Sequence, residues 1–356
     1  MSRLFTRALA LTSLLGFMLM FIPSIAIAQY RLTNLDSNQV KAARHDDPLL
    51  VNAWGLVHGP GTPWWVSDNN SGWATLYDAT GAAQGLRVLI PTAGDGPDSP
   101  KGANGPGSPT GTVFNGSSEF EVQGSPSLFL FATLDGTISG WTLKANLNQA
   151  ILAVDNSSKG AVYTGLAITS KASGNRIYAA DMANNEVAVF DGTFTPLTSI
   201  TNPAVPAGFA PFGIRDIDGL LYVTYANVAG GSGGFVDVFQ EDGTPVTPGQ
   251  HLFQGVPLDQ PWGIAAAPKN FGPLSNTLLI SNNVNHGTIN AFDGFTKQFV
   301  GKVKDTNGQA IVIDQLWGID FGDGTQGGKN GGQNELFFTA GPSNNLAGTF
   351  GVIRFK

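Results

Sequence analysis

Cysteine is missing from the chain altogether, which excludes disulfides, thiolate nucleophiles and cysteine-held zinc. Charge is scarce: 13% of residues are Asp, Glu, Lys or Arg, and the histidines are His45, His58, His251 and His286. No His-Glu-x-x-His pair or phosphate-cradling Gly-x-x-x-x-Gly-Lys-Ser/Thr loop occurs, so common zinc-protease and nucleotide signatures are absent. After residue 28 no apolar run is long enough to span a membrane, and no stretch keeps a 3.6-residue period. The net charge of −7 argues against nucleic acid or an anionic lipid surface as a partner.

The first 28 residues read as a leader. Arg3 and Arg7 precede an apolar run, and Ala26-Ile27-Ala28 is a small-residue cleavage signature. Cleavage after Ala28 is expected, with export to the periplasm or beyond and no membrane span in the mature chain. Residues 29–356 are then expected to form one domain, with packing and ring closure replacing disulfides.

Glycine is abundant, 47 residues of 356, and six of these glycines recur in register. They open strand-like runs at Trp54-Gly55-Leu56, Thr110-Gly111-Thr112, Thr164-Gly165-Leu166, Phe212-Gly213-Ile214, Trp262-Gly263-Ile264 and Trp317-Gly318-Ile319, spaced 48 to 56 residues apart. Each is followed by short β-branched and aromatic runs bounded by Asn, Asp and Gly, such as Leu221-Tyr222-Val223-Thr224 and Phe235-Val236-Asp237-Val238-Phe239. A strand-and-turn period near 50 predicts an all-β protein, a six-bladed β-propeller. The last repeat lacks a strand, and Tyr30-Arg31-Leu32-Thr33-Asn34-Leu35 is unused. The N-terminal strand should therefore complete the last blade and protect its edge. Two Gly-rich stretches, residues 94–111 and 322–333, read as surface loops; the first could instead fold over the channel as a lid.

In such a ring, the turns between second and third strands share a face with the entries to the inner strands. Those positions hold Asn52, Asp68, Asn69, Asp135, Asp181, Asn227, Asn282, Asn283, His286 and Asn345, the candidate ligand-binding residues. Their converging oxygens suit a hard cation, and Asp68, Asp135, Asp181 and Asn282 are the candidate calcium ligands. The same residue types also close turns by capping their own backbone. A mouth aspartate could act as a general base. Trp54, Phe212, Trp262 and Trp317 repeat at one position and are expected to pack between neighbouring sheets.

Pro48-Leu49-Leu50-Val51-Asn52-Ala53-Trp54-Gly55, Trp65-Val66-Ser67-Asp68-Asn69, Pro206-Ala207-Gly208-Phe209-Ala210-Pro211-Phe212 and Leu336-Phe337-Phe338-Thr339-Ala340-Gly341 resemble a family of secreted bacterial propellers that has no established activity. Members often carry a C-terminal PEP-CTERM sorting tail, which the segment ending at Lys356 lacks. More distantly, the chain is similar to NHL-repeat and gluconolactonase-like six-bladed propellers. That likeness implies a divalent cation on the axis, held by Glu, Asn and Asp, although the first mouth turn here has no glutamate. The expected function is a monomeric, exported binding module whose Asn/Asp-rich face meets carbohydrate or a cell-surface protein. The alternatives are a calcium-dependent lactonase-like hydrolase or lyase, and a structural extracellular-matrix protein.

Overall fold

The computed structural model describes residues 30–95, 104–169 and 174–356. The leader expected at 1–28 and the middle of the 94–111 loop lie outside them. Among the described residues, six sheets stand in a ring, antiparallel except where the short strand His45–Asp46 pairs parallel with Asp36 and Ser37 at the edge of the sixth, and each innermost strand packs beside the next, the sixth beside the first. The chain is a six-bladed β-propeller.

Blade 1 runs outward from Ala53–Val57 through Trp64–Asp68 and Trp73–Tyr77 to Val88–Leu89. Blade 2 comprises Pro109–Phe114, Phe129–Thr133, Thr137–Trp141 and Ile151–Asp155. Blade 3 has Tyr163–Thr169, Arg176–Asp181 and Glu186–Asp191, and its outer edge is reduced to bridges at Ile200 and Pro196. Blade 4 comprises Phe209–Ile217, Leu220–Asn227, Gly234–Gln240 and Phe253–Gln254. Blade 5 comprises Pro261–Ala266, Leu278–Asn282, Ile289–Phe292 and Phe299–Lys302.

Blade 6 begins with Leu316–Phe321, Glu335–Ala340 and Thr349–Phe355. The N-terminal strand Tyr30–Ser37 completes it, pairing antiparallel from Tyr30 opposite Phe355 to Ser37 opposite Thr349, with a bulge between Asn34 and Asp36. This is the closure expected from the unused strand. It removes the exposed edge and ties the first described residue to the last strand.

Alternation along each strand decides the core. Residues pointing one way pack against the preceding blade and their neighbours against the next. Ile177 and Ala179 therefore join the slab between blades 2 and 3, whereas Tyr178 and Ala180 join the slab between blades 3 and 4. Six such apolar slabs fill the six interfaces.

The repeat glycines sit where the inner strands approach most closely. A Cβ on Gly263 would lie 2.6 Å from the Trp317 carbonyl oxygen, and one on Gly318 would lie 2.8 Å from that of Trp54. Hydroxyls latch the same seam. The Ser281 hydroxyl accepts from the Gly263 amide (2.7 Å) and donates to the Trp317 carbonyl (2.7 Å). Thr339 accepts from the Gly318 amide (2.9 Å) and donates to the Trp54 carbonyl (2.5 Å). The blades whose pre-glycine residue is aromatic carry Ser67, Thr224, Ser281 or Thr339 on the second strand; those with Thr110 or Thr164 carry Ala132 or Ala180 there. Thr110 instead latches from the inner strand, donating to the Tyr163 carbonyl at 2.7 Å.

Among the described residues no helix is long and apolar enough to cross a membrane.

Candidate functional site

The aromatic residues preceding the glycines depart from the expected inter-sheet packing. Trp54, Phe212, Trp262 and Trp317 are buried, but they form a seventh cluster on the axis. Trp54 stacks on Trp317 with ring centroids 3.6 Å apart, and Trp262 meets both edge-on at 6.3 and 5.8 Å. Phe212 lies 5.6 Å from Trp317. The Trp262 indole donates to the Thr164 carbonyl (2.9 Å), and the Trp317 indole donates to Asn52 Oδ1 (3.0 Å). The threonines of blades 2 and 3 leave room for rings from the other blades. The channel is plugged.

On the Asn/Asp side of this plug, the candidate residues are held by specific bonds. The Asn52 amide donates to Asn69 Oδ1 (3.2 Å) and Asn70 Oδ1 (3.1 Å), and the Asn69 amide donates to the Pro109 carbonyl (3.1 Å). Asp68 is fully buried and accepts the Thr75 hydroxyl at 2.7 Å; burial holds its carboxyl well above the usual range. Asp135 accepts the Ser108 amide (2.8 Å), while Asp181 accepts the amides of Val162 (3.1 Å) and Asn184 (3.2 Å). Asn227 caps Ala229 (3.0 Å), Asn282 donates to the Pro257 carbonyl (2.7 Å) and Asn283 to that of Leu316 (3.4 Å). His286 is 80% exposed. Ser343, Asn344 and Asn345 are all left-handed, with φ of 59°, 56° and 66°. The fold thus gathers Asn52, Asn69 and Asn345 near Trp317, whereas Asp135, Asp181 and Asn227 close turns.

The carboxylates expected to hold a cation already have protein partners. Among the described residues, no group of three or more His, Asp or Glu side chains could hold a metal ion. Asp68 is bonded to Thr75, and Asp135 and Asp181 to backbone amides.

Beyond the plug lies a chamber of about 330 Å³, formed by the halves of the inner strands that follow the repeat glycines. Leu56, Leu166, Ile214, Ile264 and Ile319 line it, with Trp262 from the plug, and His58, Phe114, Arg215, Asp216 and Asp320 border it further along the strands. Arg215 Nη2 donates to Asp320 Oδ2 at 2.7 Å. These residues belong to blades 4 and 6, which are not neighbours, so the pair reaches past blade 5. Asp320 Oδ1 also accepts the Phe321 amide (2.8 Å). His58 Nε2 lies 3.0 Å from the Phe321 carbonyl, and its Nδ1 lies 3.1 Å from the Gly59 carbonyl and 3.2 Å from the Asn330 amide nitrogen.

Sequence reasoning placed the site on the Asn/Asp face and did not single out Arg215, Asp320 or His58. A signal was present. Two residues beyond the repeat glycines stand Val57, Val113, Ala167, Arg215, Ala265 and Asp320. Two of the six are charged, of opposite sign, where the others are apolar.

Six-bladed propellers of similar fold are found among solved structures. A gluconolactonase from Xanthomonas campestris superposes with a TM-score of 0.56 at 13% identity, covering 94% of this chain and 93% of that one. A streptogramin B lyase superposes with a TM-score of 0.52 at 13% identity, covering 94% of this chain and all of the other. At this identity the likeness is one of fold alone. In sequence, the chain is similar to the uncharacterised protein R648 of Acanthamoeba polyphaga mimivirus, 28% identical over 355 residues, covering 94% of this chain and 82% of R648. The uncharacterised protein R640 of the same virus is 34% identical over 209 residues, which span 54% of this chain and 38% of R640. No family profile matches the chain. These sequence relatives are viral, and give no support to the expected bacterial, secreted family with a PEP-CTERM tail.

Proposed function

We propose that this propeller is a ligand-binding module that takes a compact, largely apolar molecule into the axial chamber. The observation that carries the reading is the chamber itself: about 330 Å³, walled by aliphatic side chains and bordered by an ion pair. Binding pockets have this character, apolar walls with a few placed polar groups. Export of a monomer, with the leader removed after Ala28, belongs to the same proposal and rests on the composition of residues 1–28.

A second reading keeps the ligand, carbohydrate or a cell-surface protein, on the Asn/Asp face. It is favoured by buried polar atoms there that lack a partner: Trp54 Nε1, Asn282 Oδ1 and Asn345 Oδ1. Such atoms ask for water or a ligand. The lactonase-like alternative is compatible with the fold but gains no donor set from these residues.

Titration calorimetry with hexanol and hexanoate separates the two faces. Binding of either compound should vanish in Ile264→Trp, which fills the chamber, and persist in Asn345→Ala. If neither compound binds the wild type, the chamber reading fails. If Ile264→Trp binds as the wild type does, it fails equally.

A further inference from the structure

The polar lining of the chamber is lopsided. Asp320 is occupied on both oxygens, by Arg215 Nη2 (2.7 Å) and by the Phe321 amide (2.8 Å). His58 is held between the Phe321 carbonyl and Asn330. The Thr112 hydroxyl donates to the Leu130 carbonyl at 3.1 Å. Arg215 differs. Its guanidinium makes one hydrogen bond among the described residues, through Nη2, and its side chain is 35% exposed. A guanidinium presents a planar fork of several N–H donors. The pair with Asp320, only 12% exposed, anchors one arm of that fork and leaves the remaining donors beside an aliphatic cavity.

We infer that the chamber selects a compact monocarboxylate with an apolar body, its carboxylate received by Arg215 and its hydrocarbon by Leu56, Leu166, Ile214, Ile264 and Ile319. The inference rests on the chamber reading above and adds the chemical class of the ligand. Two coplanar carboxylate oxygens match the fork geometry of a guanidinium, which an alcohol does not. A dianion such as inorganic phosphate fits poorly, because Asp216 and Asp320 border the same space and a second negative charge would face them. An ammonium group would meet Asp320 with both oxygens already occupied. Asp320 is a positioning residue: it holds the guanidinium without touching the ligand.

The test is calorimetric titration of the wild-type protein with hexanoate, hexanol, hexylamine and inorganic phosphate. Hexanoate should bind at least tenfold more tightly than hexanol. Arg215→Gln should bring hexanoate down to the hexanol level while leaving hexanol unchanged. Asp320→Asn, whose single amide oxygen cannot accept from both the Phe321 amide and Arg215, should weaken hexanoate while leaving hexanol unchanged. Thermal melts of each variant confirm folding. Equal affinity for hexanoate and hexanol would leave the chamber standing and overturn the carboxylate class, as would a preference for hexylamine or phosphate. Absence of all binding would overturn the chamber reading itself.

Discussion

Replacing Asp36 by asparagine should remove much of the pH dependence of this protein's stability between about pH 4 and pH 7. Asp36 sits on the closing N-terminal strand beside its bulge and is 1% exposed. No hydrogen bond of normal geometry reaches either carboxylate oxygen. Burial pushes its carboxyl up to about 7, helped by the charges of Asp47 and Asp46 and opposed by the nearby Ser37 and Asp47 amides. Asp47 is itself buried and accepts the Tyr77 hydroxyl at 3.2 Å. The folded state therefore holds a proton that the unfolded chain releases near 3.8. For a carboxyl raised in this way, stability is fully present below the unfolded value and is lost as pH climbs through the folded one. The rise from 3.8 to about 7 corresponds to about 4 kcal/mol as an upper bound. Urea melts of wild type and Asp36→Asn at pH 4.5, 6 and 8 measure it. The variant should match the wild type at the acid end and exceed it by several kcal/mol at pH 8. Asp68, raised for the same reason, leaves a residual slope of the same sign. Parallel profiles for the two proteins would refute the reasoning.

Other outcomes follow from the seams. Gly263→Ala places a methyl 2.6 Å from the Trp317 carbonyl and should destabilise by about 1–3 kcal/mol, whereas Gly301→Ala, with nothing within 4 Å, should be near neutral; paired denaturation curves compare them. Thr339→Val removes the hydroxyl that accepts from Gly318 within blade 6 and donates to Trp54 of blade 1 and should cost about 1–3 kcal/mol by the same assay. Trp317→Ala should cost about 3–5 kcal/mol and alter the tryptophan near-ultraviolet circular dichroism, since it removes the ring stacked on Trp54. Deleting residues 30–37 strips the outer strand from blade 6; the product should lose cooperative thermal unfolding and aggregate on light scattering, as an exposed edge would.

The fold was legible for a definite reason. A glycine at each inner strand is a steric requirement of six strands meeting around an axis, and it recurs because the geometry recurs. The incomplete sixth repeat and the unused strand at Tyr30 stated the closure in the same way. The candidate site was less legible. Asn and Asp collect in turns whether or not a ligand is present, so their abundance at Asp68, Asp135 and Asp181 did not distinguish binding from turn closure. The aromatic plug also escaped, because repetition of Trp54, Trp262 and Trp317 suggests equivalent environments. Their rings in fact meet one another, and only the threonines at 110 and 164 hinted at unequal filling.

Strand periodicity, turn chemistry and the glycine spacing are local properties, and they were enough to specify six sheets and their order around the ring. Which end of the channel stays hollow is a matter of volume. The rings of Trp54, Phe212, Trp262 and Trp317 fill one end, and the smaller aliphatic residues after the glycines leave about 330 Å³ at the other. The pairing of Arg215 with Asp320 likewise joins residues 105 positions apart. Ring closure alone brings them within 2.7 Å, because contacts across the axis depend on the arrangement of whole blades and not on any neighbourhood in the chain.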